Sequence, residues 1–142
     1  YGFKDPTVES MAEALVNLLE VSNSKLTTVV VYPVPEVGCN PYKYNLHHKN
    51  NTGFELETLS FPVEEYDRRN EFVIGTLDEF FEQSTATVIP VRLRSALCNR
   101  YGIEACVVVE GSVPFYFDDD HLSDAGADIV VNEILKAIEG GN

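Results

Sequence analysis

The sequence predicts an α/β fold in which a mainly parallel sheet is packed between helices. Short runs of β-branched and apolar residues, such as 25–32 and 85–91, alternate with longer segments whose apolar residues recur every three or four positions. The chain has 142 residues, of which 44% are hydrophobic, so it can bury the core of one domain. We therefore expect a single domain spanning 1–142, with the strand 27–32 at the centre of its sheet.

The first two predicted elements are a helix and a buried strand. Asp5 is a favourable N-cap, Pro6 suits the first helical position, and the following apolar residues predict a helix over about 6–21. Residues 25–32 are β-branched and apolar, which is typical of a buried strand. Pro33 ends this strand, because proline has no N–H to donate to a sheet.

The middle of the chain is predicted as a long loop followed by a helix. Residues 36–59 show no regular spacing of apolar side chains, and Asn40-Pro41 is a pair typical of turns. Ser60 is then a candidate N-cap for an apolar stripe that predicts a helix over about 62–83.

The C-terminal part is predicted to contain extended segments flanked by a short helix and a long one. In order, we expect a strand over 85–91, a short helix over 92–101, extended segments over 104–110 and 114–117, and a last helix capped by Ser123 that reaches about 139.

The formal net charge is −13, from 23 acidic and 10 basic residues. So acidic a chain would repel a phosphate backbone, and it has no basic patch to bind an anionic membrane surface. We therefore expect no nucleic-acid partner. The apolar runs fall well short of the roughly 18 residues of a membrane helix. The sequence begins at Tyr1 rather than at Met, and we expect it to be a processed product or an excised piece of a longer protein, with segments encoded upstream.

Three cysteines leave two interpretations open. Cys98 and Cys106 are near enough in sequence to close a small loop through a disulfide, which would imply an oxidising compartment. The alternative is a reduced pair in the cytosol. We expect no zinc site, because four ligands are needed and no second pair exists. Cys39 remains as a free thiol or as the partner of a cysteine elsewhere.

The segment most informative about chemistry is 115–127, where His121 follows three consecutive acids just before a helix. A carboxylate three residues before a histidine can fold back and accept a hydrogen bond from the ring Nδ1–H, which leaves Nε2 free to take a proton. A solvated acidic turn is the alternative. A divalent cation is a weaker one, because contiguous residues rarely converge on one ion.

This segment resembles the last conserved block of SGNH hydrolases through the phrase Asp118-x-x-His121-Leu122-Ser123-x-x-Gly126-Ala127. More narrowly, it is similar to SGNH domains fused behind membrane acyltransferase-3 domains, which commonly end in Tyr-x-Asp-Asp-x-His-Leu-Ser-x-x-Gly-Ala. The Pro-x-Pro-Glu turn at 33–36 and the cysteine pair before the final strand also fit that family. Together these features cover about 27–138.

The resemblance implies a flavodoxin-like three-layer sandwich and an enzyme that forms or cleaves esters. The expected reaction transfers an acyl group, usually acetyl, from an acyl donor to a carbohydrate or other hydroxyl acceptor. The parent protein would then be membrane-anchored, with this domain on the extracytoplasmic side and no cofactor. By position, His121 is the general base and Asp118 its orienter, and Cys98 and Cys106 form a disulfide. We expect Asp119 to face solvent and the side chain of Asp120 to diverge from that of His121.

One departure from the family pattern is large. The family's nucleophile lies in a Gly-Asp-Ser phrase after the first strand, and neither that phrase nor the oxyanion blocks are recognisable in these residues. We expect the first strands to precede Tyr1 and the 142-residue chain alone to be inactive towards a simple acetyl ester. The alternative is a degenerate, non-catalytic SGNH-like module that binds a glycan or a protein.

Residues 36–59 contain weaker candidates. Tyr42 and Tyr44 could stack on a sugar ring and are candidate substrate-binding residues. His47 and His48 are interpreted as a solvent-facing pair in the loop, because no carboxylate or cysteine lies at ligand spacing. We expect no metal site.

Overall fold

The computed structural model describes residues 10, 11, 13–15, 17, 18, 27–54 and 57–140. The described residues between 10 and 18 are helical, in agreement with a helix in this part of the chain. The rest of the predicted helix over 6–21, and the first two residues of the predicted strand, lie outside the described residues.

From Thr27 onwards, the described residues form five strands and four α-helices. They are β1 (Thr27–Val31), α1 (Pro41–Thr52), β2 (Thr58–Pro62), α2 (Val63–Gln83), β3 (Thr87–Val91), α3 (Arg94–Leu97), β4 (Ala105–Glu110), β5 (Val113–Pro114) and α4 (Asp124–Gly140), with a 3₁₀ turn at Arg100–Gly102 between α3 and β4.

The strands form two separate sheets rather than one mainly parallel sheet. β1 and β3 pair in parallel over their whole lengths, whereas β2, β4 and β5 form an antiparallel sheet with β4 in the middle. Among the described strands, β1 therefore pairs only with β3. The prediction that this strand lies at the centre of a sheet is not observed among those strands. The α/β class holds, but the antiparallel sheet was missed. Its strand β2 alternates exposed and half-buried residues, as a half-solvated antiparallel strand does.

The predicted loop over 36–59 is wrong, because it contains α1 and the start of β2. The ends of α1 are defined by capping: the Asn40 side chain accepts a hydrogen bond from Lys43 N at 2.9 Å, Pro41 follows it, and Gly53 closes the helix at a φ of 77°. Ser60 is also not a helix cap. It lies within β2, and α2 begins directly after Pro62.

A buried cluster packs α2 against the disulfide, and a hydrogen bond ties the helix to the residues just after β1. Val63 and Tyr66 of α2 pack with Cys98 and Cys106, which form a disulfide and are fully buried. The Tyr66 hydroxyl donates a hydrogen bond to the Pro33 carbonyl at 3.1 Å. The remaining cysteine, Cys39, is a half-buried free thiol.

Two further clusters hold α4 in place. One contains the buried residues Val91, Leu93 and Leu97, and the other contains Val108, Val109, Phe115 and Tyr116. Leu122 and Ile129 pack against both clusters. The segment between β5 and α4 is thus positioned by the core next to the parallel pair and by the core next to the antiparallel sheet.

Within the described ranges, none of the helices combines the length and the apolar composition needed to cross a bilayer.

Candidate active site

The turn between β5 and α4, residues 117–121, is closed on itself and anchored to a neighbouring segment. Phe117 N donates to the carbonyl of His121 at 2.7 Å, and Tyr116 forms an antiparallel bridge with Leu122. Val37 N, just after the Pro-x-Pro-Glu turn, donates to the carbonyl of Asp119 at 2.9 Å. The backbone that carries His121 is therefore held on both sides by hydrogen bonds.

The structure brings Asp118 and His121 together. The Nδ1 atom of His121 lies 3.0 Å from both carboxylate oxygens of Asp118. Asp118 Oδ1 also accepts the backbone N–H of His121 at 2.8 Å and that of Asp120 at 3.2 Å. The Asp118 carboxylate thus accepts the backbone N–H groups that close the turn and also contacts the ring nitrogen of His121.

These contacts shift the pKa of both groups. The backbone N–H of His121, and after it that of Asp120, lower the pKa of Asp118 to about 2. The hydrogen bond and the charge of Asp118, followed by the charge of Asp120, raise the pKa of His121 above its ordinary value. The side chain of His121 is 74% exposed and that of Asp118 28% exposed, so the imidazole is accessible from solvent and water screens both shifts.

The prediction that Asp120 diverges from His121 is wrong. Asp120 Oδ1 lies 2.8 Å from His121 Nδ1, within ion-pair distance. Neighbouring side chains point to opposite faces in a strand, but this segment is a tight turn, and in a turn that alternation does not apply. Asp119 is exposed, and its charge adds to burial in raising the pKa of the Cys39 thiol.

The second half of the motif has a structural role. Ser123 Oγ donates to the Pro114 carbonyl at 2.6 Å and accepts from Gly126 N at 3.3 Å, so Ser123 caps α4 and ties it to β5. A Cβ atom at Gly126 would overlap the carbonyl oxygen of Phe115. The serine and the glycine therefore let the helix start at Asp124, directly against the strand and shortly after His121. Ser123 is used in this way and is not placed as a nucleophile.

The tyrosines and histidines predicted in a loop lie on α1 instead. Tyr42 forms an edge contact with Phe117, with ring centroids 6.1 Å apart, and both rings are exposed. Tyr44 is also exposed. The side-chain amide nitrogen of Asn51 lies 3.1 Å from the Nδ1 atom of His47. Of these residues, Tyr42 contacts the turn that carries His121, through the Phe117 ring.

A cleft of about 530 Å³ lies at the carboxyl ends of β1 and β3. Tyr32, Tyr66 and Ile74 contribute to its apolar wall, and Arg92 and Arg94 stand at its polar side. Arg92 stacks over the Tyr32 ring at 4.4 Å from the centroid. Sequence analysis did not predict this cleft, because its lining residues come from segments far apart in the chain.

The ligand atoms of Asp118, Asp120 and His121 all lie within 4.8 Å of one another. The contacts of both carboxylates with Nδ1 account for this convergence, and exposed acidic clusters commonly hold no ion. We assign no metal to it.

The structure is thus an α/β domain that presents an Asp–His pair in the turn between a short strand and a helix. The family model for the SGNH domain (fused to AT3 domains) matches residues 2–136. The chain therefore belongs to this family of SGNH domains, a module of the acyltransferase or esterase type. Searches of curated proteins and of solved structures found no match.

Proposed function

We propose that this chain carries the general-base half of an O-acyltransferase or esterase site, with His121 as the base and Asp118 as its orienter. The observation that supports this most is the double use of Asp118, which accepts both the backbone N–H and the ring Nδ1 of His121. A neutral imidazole with its proton held at Nδ1 has Nε2 free to take a proton from a hydroxyl. The exposure of His121 leaves room for a nucleophile and a substrate.

The remaining parts of the site are proposed to come from an upstream segment of the same protein. A serine in a Gly-Asp-Ser phrase would be the nucleophile, activated by His121, and backbone and side-chain donors would stabilise the oxyanion. In this proposal β1 and β3 belong to the parallel sheet of a flavodoxin-like three-layer sandwich, and α4 covers one of its faces. The packing of α4 against the buried end of β3 supports that arrangement.

We propose that the acyl group is acetyl and that the acceptor is a carbohydrate hydroxyl. The setting would be the extracytoplasmic side of a membrane-anchored protein, as expected for an SGNH domain fused to AT3 domains. The buried disulfide between Cys98 and Cys106 supports an oxidising compartment. The exposed pair of Tyr42 and Phe117, next to Asp118, offers an aromatic surface for a sugar ring.

The test is to compare His121→Ala with His47→Ala in the intact protein. His47 is an exposed histidine on α1, so its replacement controls for the loss of a surface imidazole. Acetyl transfer to a polysaccharide and hydrolysis of a simple acetyl ester are measured side by side. His121→Ala should lower the rate about 10²- to 10⁴-fold, the usual contribution of a general base, and His47→Ala should leave it unchanged. Equal rates for the two variants would refute the assignment.

A second candidate is a non-catalytic module that binds a glycan or a protein. It is favoured by the absence of a Gly-Asp-Ser phrase from these 142 residues. Either way we expect the isolated chain to be inactive. The two candidates differ in the intact protein: an intact protein with no acyl transfer or hydrolysis, but with glycan binding that His121→Ala leaves unaltered, would support the module.

A further inference from the structure

We propose that Asp120 is a second positioning residue for His121, and that it makes the imidazole more basic than Asp118 alone would. This inference rests on the proposed role of His121 as a base. Asp120 stands at the variable position of the family phrase Asp-Asp-x-His, so the resemblance assigns it no role. The observation behind the proposal is that two carboxylates meet at one ring nitrogen.

The two carboxylates contact Nδ1 in different ways. Asp118 meets the geometric requirements of a hydrogen-bond acceptor for the ring N–H, through oxygens at 3.0 Å. Asp120 Oδ1 is nearer, at 2.8 Å, as an ion-pair contact. One N–H cannot be donated fully to both groups. Because Asp118 has the geometry of a hydrogen-bond acceptor, it fixes the tautomer of the ring. Asp120 adds a negative charge beside the ring.

The turn holds Asp120 in this position even though its charge lies near that of Asp118. Three N–H groups point at Asp118: the ring Nδ1–H of His121 and the backbone N–H groups of His121 and Asp120. These donors offset the repulsion between the two carboxylates. The carbonyl of Asp119 is fixed by Val37 N, so the backbone on the N-terminal side of Asp120 is anchored.

Few charged groups act on the His121 ring, so the effect of the Asp120 charge on its pKa can be measured separately. Among the described residues, Asp118 and Asp120 are the charged groups that act on His121. Two side chains from outside the turn lie close to it: the Cys39 thiol, near Asp119, and Tyr42 of α1, against Phe117. Asp120 is 57% exposed, so its replacement should not disturb the fold, and its field should weaken as salt rises.

The sign of the effect follows from charge. A negative group beside Nδ1 stabilises the imidazolium that forms when His121 takes a proton. Removing that charge should therefore lower the pKa of His121. The base would remain neutral, and so active, to lower pH, but the imidazolium would be less stabilised in the transition state. Asp120→Asn should move the ascending limb of the kcat/KM profile to lower pH and reduce its plateau.

The experiment measures the imidazole directly as well as the activity. The ring proton of His121 is titrated by NMR in the wild type and in Asp120→Asn, Asp119→Asn and Asp120→Glu, with His121→Ala used to assign the signal. The proposal predicts a lower pKa in Asp120→Asn, by a difference from the wild type that becomes smaller in about 1 M salt, no change in Asp119→Asn, and recovery in Asp120→Glu. pH profiles of the intact protein should show the same order.

Two results would overturn the proposal: an unchanged titration in Asp120→Asn, or an equal shift in Asp119→Asn, which would reduce the effect to the net charge of the turn. The titration needs no turnover. A protein that proves inactive, but in which Asp120→Asn still lowers the pKa of His121, would refute the proposed function and leave only the effect of Asp120 on the imidazole supported.

Discussion

The Nδ1 atom of His121 lies 3.0 Å from both carboxylate oxygens of Asp118, and the backbone N–H of His121 reaches one of those oxygens at 2.8 Å. One carboxylate therefore sets both the fold of the turn and the orientation of the ring. Stability and catalysis should depend on the same ionisation.

The pair should give a defined pH dependence of stability. The pKa of Asp118 is lowered from 3.8 to about 2, so its contribution is present above pH 3.8 and is lost as pH falls towards 2. The pKa of His121 is raised above 6.5, so its contribution is complete below that pH and is lost as pH rises through the folded-state pKa. The pair therefore stabilises most between those limits.

Denaturant unfolding of the wild type, Asp118→Asn and Asp119→Asn checks this. Asp118→Asn should cost more stability at about pH 5 than at about pH 9 or pH 2, and Asp119→Asn should show no such maximum. A cost that does not vary with pH would contradict the linkage.

Gly126→Ala should destabilise the protein by about 1–3 kcal/mol, because the added Cβ would meet the Phe115 carbonyl oxygen and α4 would have to shift. Gly75→Ala is the matched control: this glycine is also within a helix, and a Cβ there meets nothing within 4 Å. It should stabilise slightly, since alanine favours a helix over glycine by about 0.5–1 kcal/mol. Thermal unfolding measures both. Tolerance of Gly126→Ala with an unchanged melting temperature would show that the close contact is not rigid.

Loss of the disulfide should cost about 2–3 kcal/mol, as expected for closing so short a loop. Both sulfurs are fully buried beside Val63 and Tyr66, so the double substitution Cys98→Ala/Cys106→Ala also tests the packing of α2. The free energy of unfolding is measured against Cys39→Ala, which removes a thiol outside the disulfide. Equal stabilities of the two variants would mean that the bond adds nothing to the fold.

If Tyr42 supports a sugar ring, Tyr42→Ala should raise KM for a carbohydrate acceptor roughly two- to tenfold, the range of a single aromatic contact. kcat should change much less, because Tyr42 does not contact His121 or Asp118 through any interaction in the described residues. Tyr44→Ala is the control, since it is exposed on the same helix but two residues along, on another face. A larger effect from Tyr44→Ala would move the proposed acceptor surface to the other side of α1.

The sequence predicted best the elements that have strong local signals. β1, α2, β3 and α4 were placed within a few residues because each has a regular pattern or a short run of apolar residues. The Asp-x-x-His phrase predicted the Asp118–His121 contact because three residues of a turn bring the two side chains together whatever the rest of the fold does.

The elements that the sequence did not predict lacked a clear local signal. α1 has no single apolar face, so its sequence shows no helical periodicity. Its capping residues are nevertheless present, with Asn40-Pro41 at the N-terminus of the helix and Gly53 at the C-terminus. β2 begins in the same stretch without regular spacing and was not predicted. Its antiparallel pairing with β4 joins segments about 50 residues apart, and a local sequence pattern does not predict such a contact. The contact of Asp120 with His121 depends on how tightly the turn closes.

The central claim is tested most directly by kcat/KM of the intact protein carrying Asp118→Asn, Asp119→Asn or Asp120→Asn, measured at one pH on the plateau of the wild-type profile. Asp118→Asn should lower kcat/KM by roughly 10- to 10⁴-fold, because the amide neither fixes the tautomer nor stabilises the imidazolium as well. Asp120→Asn should give a smaller loss, and Asp119→Asn none. Full activity in Asp118→Asn, or a loss in Asp119→Asn as large as that in Asp118→Asn, would contradict the assignment of His121 and Asp118 as base and orienter.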